Sequence, residues 1–202
     1  MKCDIRKFFD SIDHKILISF IHEKIQDKNF VALIIKIIDS FHIKHGKGLP
    51  LGNVTSQIMS NIYMNRLDQF IKNKIKAKYY IRYCDDFVVL HSSLEFLEII
   101  VSRIKLFLMD TLQLELHPNK VTIRKIHSGI DFLGYVSLNH FKVLRTKTKK
   151  RILKKIRKLK FLYEKGKITK EFFEQSIQSY LGVLSHCKSG KIKNYIDRLF
   201  LD

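Results

Sequence analysis

Two adjacent carboxylates, Asp85 and Asp86, end the tetrapeptide Tyr83-Cys84-Asp85-Asp86, between two short β-patterned runs at 77–82 (AKYYIR) and 87–90 (FVVL). Like charges this close repel and raise each other's pKa. A divalent cation reverses that balance, because it becomes the largest local charge. A third carboxylate, Asp4, stands in the strand-like Met1-Lys2-Cys3-Asp4-Ile5, and Gly48-Leu49-Pro50-Leu51-Gly52 lies between the two. Carboxylate oxygens suit Mg²⁺, which keeps waters and substrate phosphates in its shell. Two such ions roughly 3.5–4 Å apart can activate a 3′-hydroxyl and stabilise a leaving pyrophosphate. Phosphoryl transfer asks a protein for positioning and charge stabilisation more than covalent help. The chemistry anticipated is metal-dependent nucleotidyl transfer, with Asp4, Asp85 and Asp86 as ligands.

Elements must carry these residues together. Residues 1–5 read as a short buried strand, and 10–28 as a helix with Ile12, Ile16, Leu17, Phe20 and Ile21 at helical spacing, capped by Ser11 or Asp13. A second helix is expected over 29–43, then a glycine-rich loop at 45–52, then a long helix opened by Asn53 or Thr55 and running to about Lys74. Tyr79 to Leu90 reads as a β-hairpin with the acidic pair at its turn. Another helix is expected over 93–111, short strands over 121–126, 131–136 and 141–144, and helices over 147–164, 168–186 and 190–200. Strand, two helices, hairpin and helix predict an α+β fold: an antiparallel, ferredoxin-like sheet with helices on one face. Its open face would carry Asp4, Asp85 and Asp86, if neighbouring central strands bring them together. A composition shift near Arg145 sets the expected boundary between a first domain, 1–144, and an all-α second domain, 145–202.

Composition points to a polyanionic partner. The 202 residues, 46% hydrophobic, suffice for one substantial core or a larger domain plus a small one. Thirty-eight Lys and Arg against nineteen Asp and Glu leave a net charge of +19, as nucleic-acid-binding chains often carry. The excess is concentrated at 142–170. From Lys147 to Lys160, basic residues including Lys149, Lys150, Arg151, Lys154, Lys155, Arg157 and Lys158 alternate with Ile152, Leu153, Ile156 and Leu159. That pattern is an amphipathic helix with one face able to hold a phosphate backbone whatever its sequence. No apolar run approaches the ~20 residues of a membrane span, so no membrane partner is expected. Cys3, Cys84 and Cys187 have neither disulfide-framework nor zinc spacing, which fits a reducing, cytoplasmic setting.

The motifs, in their order, resemble a reverse transcriptase, palm and thumb, over nearly the whole chain. The segment Asp4-Ile5-Arg6-Lys7-Phe8-Phe9-Asp10 is similar to that family's first catalytic motif, and Gly48 through Gln57 to its template- and nucleotide-cradling motif. Tyr83-Cys84-Asp85-Asp86 resembles the polymerase signature. Leu114 to Lys120 resembles the block whose lysine lies near the triphosphate, and Phe132-Leu133-Gly134-Tyr135 the primer-grip hairpin. The resemblance implies RNA-directed DNA synthesis with two Mg²⁺ ions, for which Mn²⁺ can substitute. It also implies an RNA template, a DNA or RNA primer and deoxynucleoside triphosphates. Asp4, Asp85, Asp86 and Lys120 would carry the catalysis. Ile5, Phe9, Leu51, Gly52 and Gln57 would meet the nucleotide, Phe9 as the gate against a 2′-hydroxyl. Tyr83, residues 132–135 and the basic helix would meet primer and template.

Within the family the lineage resembles that of group II introns. Gln57 after Ser56, Leu51, and Ser179-Tyr180-Leu181-Gly182 resemble the diversity-generating retroelement class. That class implies error-prone synthesis opposite template adenines and a small nucleic-acid-binding accessory protein. The family places a fingers region before the first catalytic motif. This chain starts three residues before Asp4, so the fingers are expected to be absent and isolated activity weak. The other reading is a non-catalytic nucleic-acid-binding remnant, or a maturase or phage-defence setting for the same chemistry.

Overall fold

In a computed structural model of the chain, which describes residues 1–201, strand β1 (Lys2–Asp4) is followed by a single helical turn, α1 (Phe8–Ser11). Helices α2 (His14–His22), α3 (Lys28–Asp39) and α4 (Val54–Gln69) come next, then the hairpin β2 (Tyr79–Tyr83) and β3 (Asp86–Leu90), then α5 (Leu94–Leu112). These elements form one compact unit, Met1–Ile123. A second begins at Arg124. It holds a three-stranded meander, β4 (Ile130–Phe132), β5 (Tyr135–Ser137) and β6 (Lys142–Leu144), and helices α6 (Thr146–Glu164), α7 (Lys170–Ser185) and α8 (Gly190–Leu201). Among the described residues no helix is long and apolar enough to cross a membrane.

The sheet of the first unit is antiparallel, ordered β1-β3-β2, which makes the architecture α+β. Strand alternation sorts its residues. Cys3, Phe87 and Val89 go into the core, whereas Tyr79, Ile81 and Tyr83 stay exposed on the other face. Helices cover the buried face through residues three or four apart, such as Leu17 and Ile21, Ile34 and Ile38, or Ile100, Ile104 and Leu108. Each such side chain contributes about 1.5–3 kcal/mol by leaving water. Asp13 caps α2, Asp27 caps α3 and Ser93 caps α5, each accepting from first-turn amides.

Several elements differ from the sequence expectation. Of the helix expected over 10–28, α2 starts only at His14, with Asp13, one of the two expected caps, as its N-cap; around it the backbone serves the glycine loop, Gly48 N–H donating to Ile12 O and His14 N–H to Gly46 O, both at 2.9 Å. Among the described residues the expected strand at 121–126 reduces to one bridge, Thr122 with Lys2. The run 131–136 is two strands joined by a turn at Leu133 and Gly134, both left-handed at φ 52° and 84°. That is the type I′ geometry of a two-residue hairpin. The compact second unit takes in this meander, about twenty residues before the expected boundary, because Leu144 and Tyr135 pack with Ile152, Ile156, Phe173 and Ile177. The helix expected up to Lys74 ends in a π-helical turn, Phe70–Lys74.

Candidate active site

The register sets the acidic residues. Asp4 is the direct cross-strand partner of Asp86, so both side chains leave the same open face. Asp85 sits one residue earlier, in the two-residue turn Cys84-Asp85 that joins Tyr83 to Asp86. Cys84 has φ 56°, whereas Asp85 has no positive φ. Positive φ at the first central position alone is the type II′ pattern, which favours glycine there. A non-glycine residue held at such a sparsely populated backbone conformation costs on the order of 1–3 kcal/mol. The hairpin tip therefore stores strain where chemistry is expected.

Lysines meet two of the three carboxylates. Lys120 Nζ donates to both oxygens of Asp4, at 3.0 and 3.1 Å. The Asp4 side chain is 15% exposed and that of Lys120 54%. Lys2 Nζ lies 3.0 Å from Asp86 Oδ2, the pleat having put Lys2 on the face of Asp4. Among the described residues, Asp86 Oδ1 is buried with no hydrogen-bond partner. The Asp85 carboxyl is pushed above the usual range, first by burial and then by the negative charges of Asp4 and Asp86, against Lys120 and its own backbone amide. Asp85 thus feels both other carboxylates. Among the described residues, however, no three His, Cys, Asp or Glu side chains are grouped so as to hold a metal ion. With Lys120 on Asp4 and Lys2 on Asp86, two of the three carboxylates are charge-compensated by ammonium groups. The donor set still fits a hard cation: all oxygen, one without a partner among the described residues, one raised in pKa by burial and by its acidic neighbours.

The segment after Asp4 and the glycine loop are held to each other. Ile5 is 1% exposed, so only its backbone is open to a ligand. Phe8 fills the core and packs edge-on against Phe9, ring centroids 5.2 Å apart, which leaves Phe9 half-buried at the margin. Leu49 N–H donates to Phe9 O at 2.8 Å. Buried His14 places Nε2 2.7 Å from Gly48 O, with Nδ1 3.5 Å from Asp39. Gly48 has φ 109°, and a Cβ there would meet Ile43 N at 3.2 Å. Leu51, Gly52 and Gln57 are exposed at the entrance of α4, where Asn53 makes no side-chain cap.

Beneath the hairpin lies a network that sequence reasoning missed. Arg82 points to the core face and donates to both oxygens of Asp68, Nε to Oδ1 at 2.8 Å and Nη2 to Oδ2 at 2.7 Å. Nη1 donates to Cys84 O at 2.9 Å and Asn61 Oδ1 at 3.3 Å. Tyr80 OH donates to Asp68 Oδ1 at 2.6 Å. Burial opposes the charged guanidinium, but Asp68 outweighs it and holds Arg82 above its ordinary value. An arginine beside a turn was a visible signal; its partner on a distant helix was not.

In the second unit, Phe132 and Tyr135 are cross-strand partners flanking the Leu133-Gly134 turn. Leu133 is exposed, and Tyr135 OH donates to Val183 O at 3.0 Å. On α6, Ile152 and Ile156 are buried, while Lys149, Lys150, Arg151, Lys154, Lys155, Arg157 and Lys158 are exposed. Arg157 Nε donates to Tyr195 OH at 2.9 Å, so its charge is already part-engaged on α8.

A family model described as reverse transcriptase (RNA-dependent DNA polymerase) matches residues 1–137. The chain belongs to the reverse transcriptase family. Its relatives include the putative COX1/OXI3 intron 2 protein of Saccharomyces cerevisiae, 24% identical, the match covering 67% of this chain and 23% of the relative. Protein YkfC of Escherichia coli is 28% identical, over 65% and 45%. The group II intron-encoded protein LtrA of Lactococcus lactis is 26% identical, over 65% and 33%. The chain thus spans less than half the length of these relatives. This reverse transcriptase is of group II intron-like lineage.

Proposed function

We propose that the chain is the catalytic part of an RNA-directed DNA polymerase, extending a primer 3′-end on an RNA template with deoxynucleoside triphosphates. The observation that carries this reading is the Asp4–Asp86 cross-strand pair with Asp85 beside it, on an open sheet face of a reverse transcriptase fold. Asp4, Asp85 and Asp86 are the residues to hold two Mg²⁺ ions, with Mn²⁺ able to substitute. When bound, the ions supply a Lewis acid for hydroxyl activation and for charge on the leaving pyrophosphate. The protein's own share is positional. Lys120, next to Asp4, is placed to donate to departing phosphate oxygens. Phe9, tied to the glycine loop through its carbonyl, is the wall beside the sugar. Leu51, Gly52 and Gln57 offer an apolar side chain, an open backbone and an amide to base and template. Tyr83, 63% exposed next to the acidic turn, and the meander turn Phe132-Leu133-Gly134-Tyr135 are the surfaces for the primer. The exposed basic face of α6 binds the phosphate backbone.

The ion pairs Lys120–Asp4 and Lys2–Asp86 favour a second reading, a nucleic-acid-binding protein whose acidic site stays closed by its own lysines. Primer extension on an RNA template with Mg²⁺ or Mn²⁺ separates the two. The polymerase reading expects extension by the wild type and none by Asp85→Ala. Equal nucleic-acid affinity in both proteins with extension in neither supports the second reading. The resemblance of Leu51 and Gln57 to the error-prone class bears on fidelity, and an accessory nucleic-acid-binding protein remains part of that proposal.

A further inference from the structure

We propose that Arg82 is a positioning residue for the acidic turn: anchored on Asp68, it holds the left-handed Cys84 carbonyl and so sets where Asp85 and Asp86 present their oxygens. This rests on the polymerase reading for its kinetic consequence, though not for its structural one.

Four observations converge. The guanidinium is nearly enclosed, its side chain 10% exposed, and its donors are directed at three acceptor groups. Two parallel bonds to Asp68 fix its plane, a geometry lysine cannot reproduce. The third edge reaches Cys84 O at 2.9 Å, the carbonyl of the one turn residue in the left-handed region. Asp68 is itself fixed by Tyr80 OH from the same strand and rides on α4, as does Asn61, the fourth contact. The turn that ends in Asp85 is therefore referenced to α4, the helix whose entrance carries Gln57. Glycine, which adopts this φ freely, would need no such clamp. That the chain has cysteine at 84 and arginine two residues before it makes the clamp a working part.

The experiment is a double-mutant cycle of Arg82→Lys and Cys84→Gly, in a Cys187→Ser background. Cys3 does not interfere with thiol chemistry, since it is fully buried. Arg82→Lys is expected to lower kcat for primer extension at least tenfold, with the nucleotide KM within about twofold. It should also speed alkylation of Cys84 at least threefold. Cys84→Gly alone should stay within about threefold of wild type, and in the double variant restore at least half of the lost kcat on a logarithmic scale. Independent losses, the double variant being as slow as the product of the singles, would overturn the proposal. So would an unchanged alkylation rate in Arg82→Lys. If Arg82→Lys fails to fold, Asp68→Asn, which keeps the side-chain shape and weakens the anchor, must show the same two changes in smaller degree. A wild type that does not extend primers defeats the polymerase reading, while the alkylation comparison still decides the clamp.

Discussion

Replacing Lys120 by methionine separates two roles that one residue holds. Lys120 Nζ contacts both oxygens of Asp4, so a cation arriving at Asp4 must displace an ammonium. The pair is half-open, with Lys120 54% exposed and Asp4 15% exposed. Solvent screening holds such a pair to about 1 kcal/mol, near the top of the surface range. At roughly 1.4 kcal/mol per tenfold, Lys120→Met should tighten Mn²⁺ binding about fivefold. Methionine preserves most of the stem, so the effect reads charge, not packing. The same lysine is placed to meet the leaving pyrophosphate, and loss of one such donor costs on the order of 10² in kcat. Affinity should rise and turnover should fall. Titration of Mn²⁺ followed by electron paramagnetic resonance, at low ionic strength, gives the first quantity, and single-turnover extension the second. Unchanged or weaker Mn²⁺ binding in Lys120→Met would refute the competition between ammonium and metal.

Four further outcomes are expected. Because Asp85 is raised in the folded protein, the folded state holds an extra proton between the ordinary carboxylate range and that raised value. Metal-free stability should therefore decline as pH rises through this window, Mn²⁺ affinity should climb, and Asp85→Asn should abolish the slope and melt at a higher temperature in EDTA. Phe9→Val should raise ribonucleotide incorporation, measured as the ratio of kcat/KM for rNTP and dNTP; an unchanged ratio removes Phe9 as the sugar gate. Leu51→Gln should lower misincorporation opposite template adenine, scored by sequencing products, and an unaltered error spectrum would end the fidelity argument. Neutralising Arg151 and Lys154 on α6 should reduce the slope of log K against log salt for a hybrid duplex by about 2, whereas a flat dependence in the wild type would exclude backbone binding.

Local signals accounted for much of this molecule. The hairpin at 79–90 followed from β-patterned runs around a short polar turn, and α5 matches the helix expected over 93–111. The α6 face followed from basic residues set among Ile152 and Ile156. Where tertiary contacts overrode the pattern, the reading failed. Ile12 looked helical, but its carbonyl accepts from the glycine loop, whereas Asp13, one of the two expected caps, does cap α2. Lys2 on the face of Asp4 was legible from strand alternation. Lys120 on Asp4 was not, because 116 residues separate them. Nor was the Arg82–Asp68 bond, because nothing in the order of residues says which helix lies under the hairpin. The type II′ turn was hidden for a different reason: cysteine stands where that geometry favours glycine.

Anomalous scattering from crystals of the wild-type chain soaked with Mn²⁺ shows whether Asp4, Asp85 and Asp86 hold a cation. Manganese is expected on oxygens of Asp4 and Asp86 with Asp85 alongside, and Lys120 and Lys2 drawn away from their carboxylates. Intact lysine–aspartate pairs with no manganese at these residues, at concentrations that saturate other sites, would contradict this.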